Sequence, residues 1–288
     1  MKLTMPKPPE HQVGGHEAGP DKAGPLVDDS GHFYKPLHLG DERGAHEVNF
    51  YTSFSSDPRV PSSIRSFFPS FGGTKLLCTS DSSDVRLPHL VLENLLHGYS
   101  SPCVMDVKIG ARTWYPQASE SDFEKYLKKD KESTTVPLGF RICGLQVHHE
   151  SGRWKPDRNK VRKYTVTDVR QVLRRFVSKN LDATHPDCAL ASSVYGGSNG
   201  VLAQLLELKS WFEDQTLFHF YSASTLISYD KGGMSARVKL VDFAHAMEGE
   251  GIIDHNFLGG LCSLIKFISE ILTDTTEAEV GPANNRIV

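Results

Sequence analysis

The chain has 288 residues, with 32 Lys and Arg against 35 Asp and Glu, a formal net charge of −3, and 39% apolar against 23% charged residues. That composition is ordinary for a globular protein, and the length allows one large domain or two lobes with their own cores. It excludes a generally basic nucleic-acid binder, so no direct nucleic-acid binding is expected.

Residues 1–24 are rich in Pro, Gly and charge and read as a flexible arm; Met1 to Gln12 lacks the apolar run of a signal peptide. Leu26-Val27, a turn at Asp28-Asp29-Ser30-Gly31 and Phe33 to Pro36 form a hairpin pattern, and Pro36 marks the strand end because it cannot donate to a ladder. Gly40 to Phe54 is helical, with Val48, Tyr51 and Ser55 on one face and Glu47 beside them. Ser70 to Cys78, Leu87 to Leu95 and Pro102 to Val107 are strand patterns. Ser119 to Lys129 reads as a helix with Ser119 as N-cap and Glu120 and Asp122 in its first turn.

Leu138 to His149 is a strand, and residues 150–163 a basic polar loop. Asp168 to Val177 is an amphipathic helix burying Val169, Val172, Leu173 and Phe176. A helix over Gly200 to Phe212, strands over Phe218 to Tyr229 and Ala236 to Phe243, and a helix over Asn256 to Ile271 follow. The acidic tail from 273 to 288 reads as disordered. Phe257 to Leu272 is the most apolar stretch, but it carries Lys266 and Glu270 and reads as short of a membrane span.

Five widely spaced cysteines without a C-x-x-C pair fit a reducing, intracellular compartment and neither a disulfide framework nor a zinc site. The histidines show no H-x-x-x-H pair, and the three tryptophans suit packing. Charge is uneven. Lys108 to Lys179 holds 17 Lys and Arg against 8 Asp and Glu, whereas the rest holds 15 against 27. A basic segment on an acidic frame is a place for an anion.

Three separated pieces suit phosphoryl transfer. Lys35 on a strand, followed by Glu47 on the next helix, can form an ion pair aimed at nucleotide phosphates, although surface Lys and Glu are common. Asp106 and Lys108 lie two apart on an extended chain and project to one side, an acid for a hydroxyl proton beside a cation for the moving phosphoryl. Asp242 closes an apolar strand and suits a Mg²⁺ ligand, although in isolation a strand-terminal turn residue is the commoner reading. Lys125, Lys128 and Lys129 share a helical face that could hold a polyphosphate, with Arg112, Lys131 and Arg141 extending the patch; the bland alternative is a solvated basic face. Arg153, Lys155, Arg158, Lys160, Arg162 and Lys163 could bind phosphate or keep a loop soluble, and the solvated loop is the favoured reading. Gly196 to Gly200 lacks the G-K-[ST] of a phosphate-binding Walker loop and reads as a helix start.

Pro102-Cys103-Val104-Met105-Asp106-Val107-Lys108-Ile109-Gly110 matches the P-x-x-x-D-x-K-x-G signature of the inositol polyphosphate kinase family. Val241-Asp242-Phe243 resembles its I-D-F motif, and Asp254 to Leu261 its D-x-N-x-x-x-G-L segment. Phe33 to Leu37 and Leu92 to Leu95 resemble its nucleotide lysine and hinge, so the likeness runs in order over nearly the whole chain. One stretch departs: the family's S-S-L-L stands here as Ala223-Ser224-Thr225-Leu226, which leaves Ser222 and Ser224 without an assigned role.

The resemblance implies a two-lobed α+β fold, with a 25–97 lobe binding ATP, a hinge near 93–98 and a catalytic 98–272 lobe carrying a helical substrate-binding insertion at about 117–137. It implies ATP and Mg²⁺ as cofactors: Lys35 oriented by Glu47, Glu93 and Leu95 at the adenine, Asp106 at ribose and the attacking hydroxyl, and Asp242 on the metal. Catalysis would fall to Asp106, Lys108 and Asp242, and substrate binding to Lys108, Arg112, Lys125, Lys128, Lys129, Arg141 and His245. Within the family the chain is most similar to plant-type multikinases, which carry inositol 1,4,5-trisphosphate to the pentakisphosphate through the 6- and 3-hydroxyls. The alternatives are a trisphosphate 3-kinase, a hexakisphosphate kinase or a non-catalytic binding scaffold. A monomer in nucleus and cytoplasm, with transcription or chromatin factors as further partners, completes what the resemblance implies.

Overall fold

The computed structural model describes residues 5–15, 23–37, 40, 42–78, 86–149, 152–180, 182, 184–233 and 235–280, with side chains to 275. In chain order its elements are β1 (Leu26–Val27), β2 (His32–Pro36), α1 (Glu42–Ser56), α2 (Ser62–Arg65), β3 (Phe71–Cys78), β4 (Arg86–Glu93), β5 (Pro102–Ile109), α3 (Glu120–Lys131), α4 (Thr135–Leu138) and β6 (Phe140–His149). Then come β7 (Gly152–Trp154), α5 (Arg158–Val161), α6 (Val166–Phe176), α7 (Ala191–Val194), α8 (Val201–Asp214), β8 (Phe218–Phe220), β9 (Ser224–Asp230), β10 (Arg237–Val241), β11 (Ala246–Glu248) and α9 (His255–Val280).

Two antiparallel sheets face each other across a cleft. The smaller has the order β1-β2-β4-β3, the larger β10-β9-β5-β6-β7, and a two-stranded ribbon pairs β11 with β8. The signature strand β5 is central and buried along its length, as an apolar run bounded by turns should be. Behind it lie α6, α8 and α9, whose inward faces (Val169, Leu173, Leu205, Leu208, Leu261, Leu264) are inaccessible to solvent. On the other side α1 packs Phe50 and Phe54 on Phe68, Phe218 and Phe243, an aromatic cluster joining α1 to the segment before β3, to β8 and to the turn after β10.

Four sequence expectations are corrected. The predicted strand Phe218 to Tyr229 is two, because Ser222 takes φ +56° and turns the chain between β8 and β9. Residues 150–163 are not all loop: β7 pairs with β6, and α5 forms one turn capped by Asp157. The acidic tail is helical to Val280, and Arg170–Glu270 (2.5 Å) and Arg174–Asp274 (2.8 Å) tie α9 to α6; residues 281–288 lie outside the described residues. His255–Thr275 does reach the length and mean hydropathy (1.3) of a spanning helix, but its apolar face is taken up by the core, with Phe257, Leu261, Leu264 and Ile268 fully buried.

Candidate active site

The floor of the cleft is β5, between β9 and β6. Asp106 stands opposite Leu226 and Gly144, and Lys108 opposite Ser224 and Arg141. The register slips between Asp106 and Val107 through an extra residue on β6, so β5 keeps its alternation and both side chains line the cleft. Asp106 is 4% exposed, and its Oδ1 has no hydrogen-bond partner. Burial pushes its carboxyl above the usual range; Lys108 works against the shift and Asp242 adds to it. Lys108 Nζ donates to the carbonyl of Ser222, a cleft residue just before the Ala223–Leu226 stretch. At β5's end Gly110 has φ +112°, and a side chain there would strike Asn256 Nδ2. Asn256 grips the Arg112 backbone from both sides (3.1 and 3.0 Å), and Asp254 bonds the amides of Phe220 (2.6 Å) and Phe257 (2.9 Å). The D-x-N residues therefore lock the end of the catalytic strand.

One wall is an ion cluster. Lys35 on β2 reaches Glu47 on α1 at 2.9 and 2.8 Å and Asp242 Oδ1 at 2.8 Å. Burial opposes the lysine's charge, but Asp242 and Glu47 outweigh it and hold the ammonium above its ordinary value. Glu47 Oε1 also accepts the Phe243 amide at 3.2 Å, fixing the backbone just after Asp242. Asp242 itself takes φ +69°, a conformation non-glycine residues seldom adopt and one that aims its carboxylate at Lys35. Val27, Leu92, Leu226 and Val241 give the same side an apolar slot beside the 93–96 backbone, where Leu95 also lines the cleft. The Glu93 side chain is held by Lys239 (3.2 Å) and the Ser70 amide (3.3 Å), and its own amide donates to the Ser70 carbonyl (2.9 Å).

The opposite wall is basic. Lys125, Lys128 and Lys129 on α3 all line the cleft. Their helix is anchored by Asp130, 1% exposed, which accepts from Thr113 N and Oγ1 (both 2.7 Å) and from Arg141 Nη1 (2.9 Å). Burial pushes the Lys129 ammonium down, and Lys125, Arg162, Arg141 and Lys108 push it further. Arg141 lines the cleft while held by Asp130 and Thr135. His245 lies at the cleft, stacked on Tyr115 (4.3 Å) with Nε2 3.1 Å from the Tyr126 hydroxyl; burial, then Arg43 and Lys108, lower its pKa to about 4.

Arg112 is corrected. Its guanidinium lies 4.5 Å over the Trp114 ring and bonds the Tyr221 hydroxyl at 3.3 Å, away from the residues lining the cleft. Two groups escaped the sequence reading. Arg158, Arg162 and Lys163, assigned to a solvated loop, line the cleft opposite α3; an N-cap Asp followed by cations four apart was the signal available. Residues 5–15, assigned to a loose arm, cross from one sheet to the other. Lys7 exchanges backbone bonds with Val27 (2.9 and 2.7 Å), Val13 is buried, and Arg158 bonds the Gly15 carbonyl at 2.8 Å. Gly14 and Gly144 permit this crossing: a side chain at either would collide with Asp106 or the Val13 carbonyl.

A strand-borne acid and cation beneath a lysine–carboxylate cluster, in a cleft of about 1650 Å³, is the layout of a two-substrate phosphotransferase. Residues 89–269, more than half of the chain, match the family described as inositol polyphosphate kinase, and the chain belongs to that family. It is 53% identical to inositol polyphosphate multikinase beta of Arabidopsis thaliana over 96% of this chain and 100% of that protein. It is 53% identical to inositol polyphosphate multikinase IPK2 of Oryza sativa subsp. indica over 94% and 96%. A solved inositol phosphate multikinase structure superposes with TM-score 0.69 at 52% identity, covering 78% of this chain and 99% of that one. The fold is also that of the S. cerevisiae multikinase Ipk2, solved with ADP and Mn²⁺ (TM-score 0.65, 21% identity, 84% and 99% covered).

Proposed function

We propose that the protein is an ATP- and Mg²⁺-dependent inositol polyphosphate multikinase, carrying inositol 1,4,5-trisphosphate to the tetrakis- and pentakisphosphate at the 6- and 3-hydroxyls. The observation that carries this is the placement of Asp106 and Lys108 between the Lys35–Glu47–Asp242 cluster and the basic face of α3, all lining one cleft. The nucleotide lies between the 25–97 and 98–272 lobes, its adenine in the apolar slot and its phosphates at Lys35. The names of the plant relatives support the multikinase assignment.

The residues fit a divalent ion. Asp106 Oδ1 is buried without a hydrogen-bond partner, and Asp242, paired with Lys35, lies near enough to raise the Asp106 pKa, so two carboxylates approach each other in the cleft. Mg²⁺ is usually held by one or two carboxylates and completed by substrate phosphates. Asp242 would hold it, and when bound it neutralises charge on the nucleotide phosphates. Lys35 orients those phosphates and Lys108 offsets charge developing on the transferred group. Asp106, its pKa raised by burial, accepts the proton of the attacking hydroxyl. Lys125, Lys128, Lys129 and Arg141 bind the existing phosphates, and His245 serves as a neutral hydrogen-bonding group.

Monomeric action in nucleus and cytoplasm, with transcription or chromatin factors as additional partners, belongs to the same proposal and rests on the family likeness. Incubation with Mg-ATP and inositol 1,4,5-trisphosphate, followed by separation against isomer standards, should yield tetrakis- then pentakisphosphate. A protein that forms neither is not a multikinase.

A further inference from the structure

The short helix α5 presents cations that the assigned roles leave over. Asp157 caps it by accepting from the amides of Asn159 (2.9 Å) and Lys160 (3.3 Å), and Val161, 2% exposed, pins it to the core beneath. Arg158 and Arg162, four apart, share a face. Arg158 is engaged with the Gly15 carbonyl, whereas Arg162 and Lys163 face the cleft with no carboxylate in ion-pair range among the described residues. On α3, by contrast, Lys125 has Asp122 at 3.8 Å and Lys128 has Glu132 at 4.0 Å. Arg162 lies close enough to Lys129 to disfavour its charge, so the two walls approach each other as like charges.

Charge matching says what such an arrangement accommodates. A phosphate monoester carries roughly −1.5 to −2 at neutral pH, so three carry roughly −4.5 to −6. Lys108, Lys125, Lys128, Lys129 and Arg141 meet that charge, three of them sharing theirs with Asp122, Glu132 and Asp130. Arg162 and Lys163 supply about one further phosphate's worth of positive charge on the facing wall. We propose that Arg162 and Lys163 form a second phosphate arm that engages the additional phosphate of inositol tetrakis- and higher phosphates, so that α5 sets how far the phosphorylation series runs. This rests on the kinase reading above.

The test is equilibrium binding without ATP, by dialysis of inositol tris- and tetrakisphosphate against wild type, an Arg162→Gln/Lys163→Gln variant and a Lys160→Gln control. Lys160 belongs to α5 but does not line the cleft, and all three positions are exposed. The double variant should lose about tenfold in tetrakisphosphate affinity, roughly 1.4 kcal/mol, with trisphosphate affinity within twofold and the control unchanged. In turnover the tetrakisphosphate KM should rise at near-constant kcat. Equal losses for both ligands, no loss, or the same loss in Lys160→Gln overturns the arm. Wild type that binds the tetrakisphosphate but never phosphorylates either compound overturns the kinase reading and leaves the binding comparison to decide α5.

Discussion

On the Lys35 wall an ammonium sits between two carboxylates at 2.8–2.9 Å; on the facing wall Lys129 has Lys125, Arg162, Arg141 and Lys108 for neighbours. The first raises the affinity of Lys35 for its proton, and the second lowers that of Lys129. A wall whose ammonium is already paired is built before any ligand arrives, and its task is aim. A wall of crowded cations holds repulsion that a polyanion relieves, which converts into selectivity for multiply phosphorylated ligands. Asp106 lies between the two, a buried acid disfavoured as an anion and steadied by Lys108.

The largest effect expected separates function from stability at that floor. Asp106→Asn should cut turnover by about 10²- to 10⁴-fold, the range for a positioned proton acceptor. It should not lower the melting temperature. The folded-state pKa is raised, so above the ordinary carboxylate value of 3.8 the folded protein holds the proton more tightly than the unfolded chain. Asp106 thus withdraws stability as pH rises through that window, and Asn removes the loss. Melting curves at pH 5 and 8 check the sign. A variant that keeps full turnover, or melts earlier at pH 8 than wild type, contradicts the assignment.

The next largest concerns how the basic wall is held. Asp130 bonds Thr113 and Arg141 from inside the protein, and removing its charge leaves Arg141 without its buried partner. Asp130→Asn should destabilise by about 3 kcal/mol. The inositol phosphate KM should rise with the ATP KM unchanged. Chemical denaturation that finds less than about 0.5 kcal/mol would mean α3 is fixed by something else.

These two acids also mark what a sequence can reveal. Asp106 and Lys108 were legible because a strand alternates sides, and the bulge next to them sits on the neighbouring strand, leaving that alternation intact. Lys35 and Glu47 were legible as a spacing pattern, and the structure brings them within 2.9 Å. Asp130 was not: on paper it is one more acid in a charged helix, and only the fold turns it inward to an amide 17 residues away. Residues 5–15 carry no periodic pattern, so their crossing above Asp106 depends on glycine vacancies on partners far apart in sequence. Arg112 failed for the opposite reason, since a cation near the signature motif found aromatic rings instead of the cleft.

Lys129→Gln sharpens the contrast between the walls. Losing a cation that its neighbours repel should leave stability unchanged or slightly raised, while the inositol phosphate KM rises about tenfold. Glu47→Gln should do the reverse, lowering stability and raising the ATP KM, because Glu47 holds both Lys35 and the Phe243 amide. Added salt should raise the inositol phosphate KM more steeply than the ATP KM. Equal salt slopes would remove the distinction between the walls.

The smallest effect is a pH dependence at His245. Its pKa falls to about 4 from the usual 6.5, through burial first and then through Arg43, Lys108 and His46, with Asp122 opposing. Between those values the unfolded chain binds a proton that the folded protein refuses, so stability is full above about 6.5 and is lost as pH falls toward 4. His245→Gln should flatten that slope in urea denaturation across pH 4.5 to 7.5. His148 and His149 are also lowered, chiefly by burial, so a residual slope is expected; an unchanged one would assign the whole effect to them. A bound polyanion supplies negative charge beside His245 and should raise its pKa, so saturating inositol phosphate should make wild type less acid-sensitive. In the Gln variant the ligand should lose that part of its protection at low pH, because the group that gains a proton is gone.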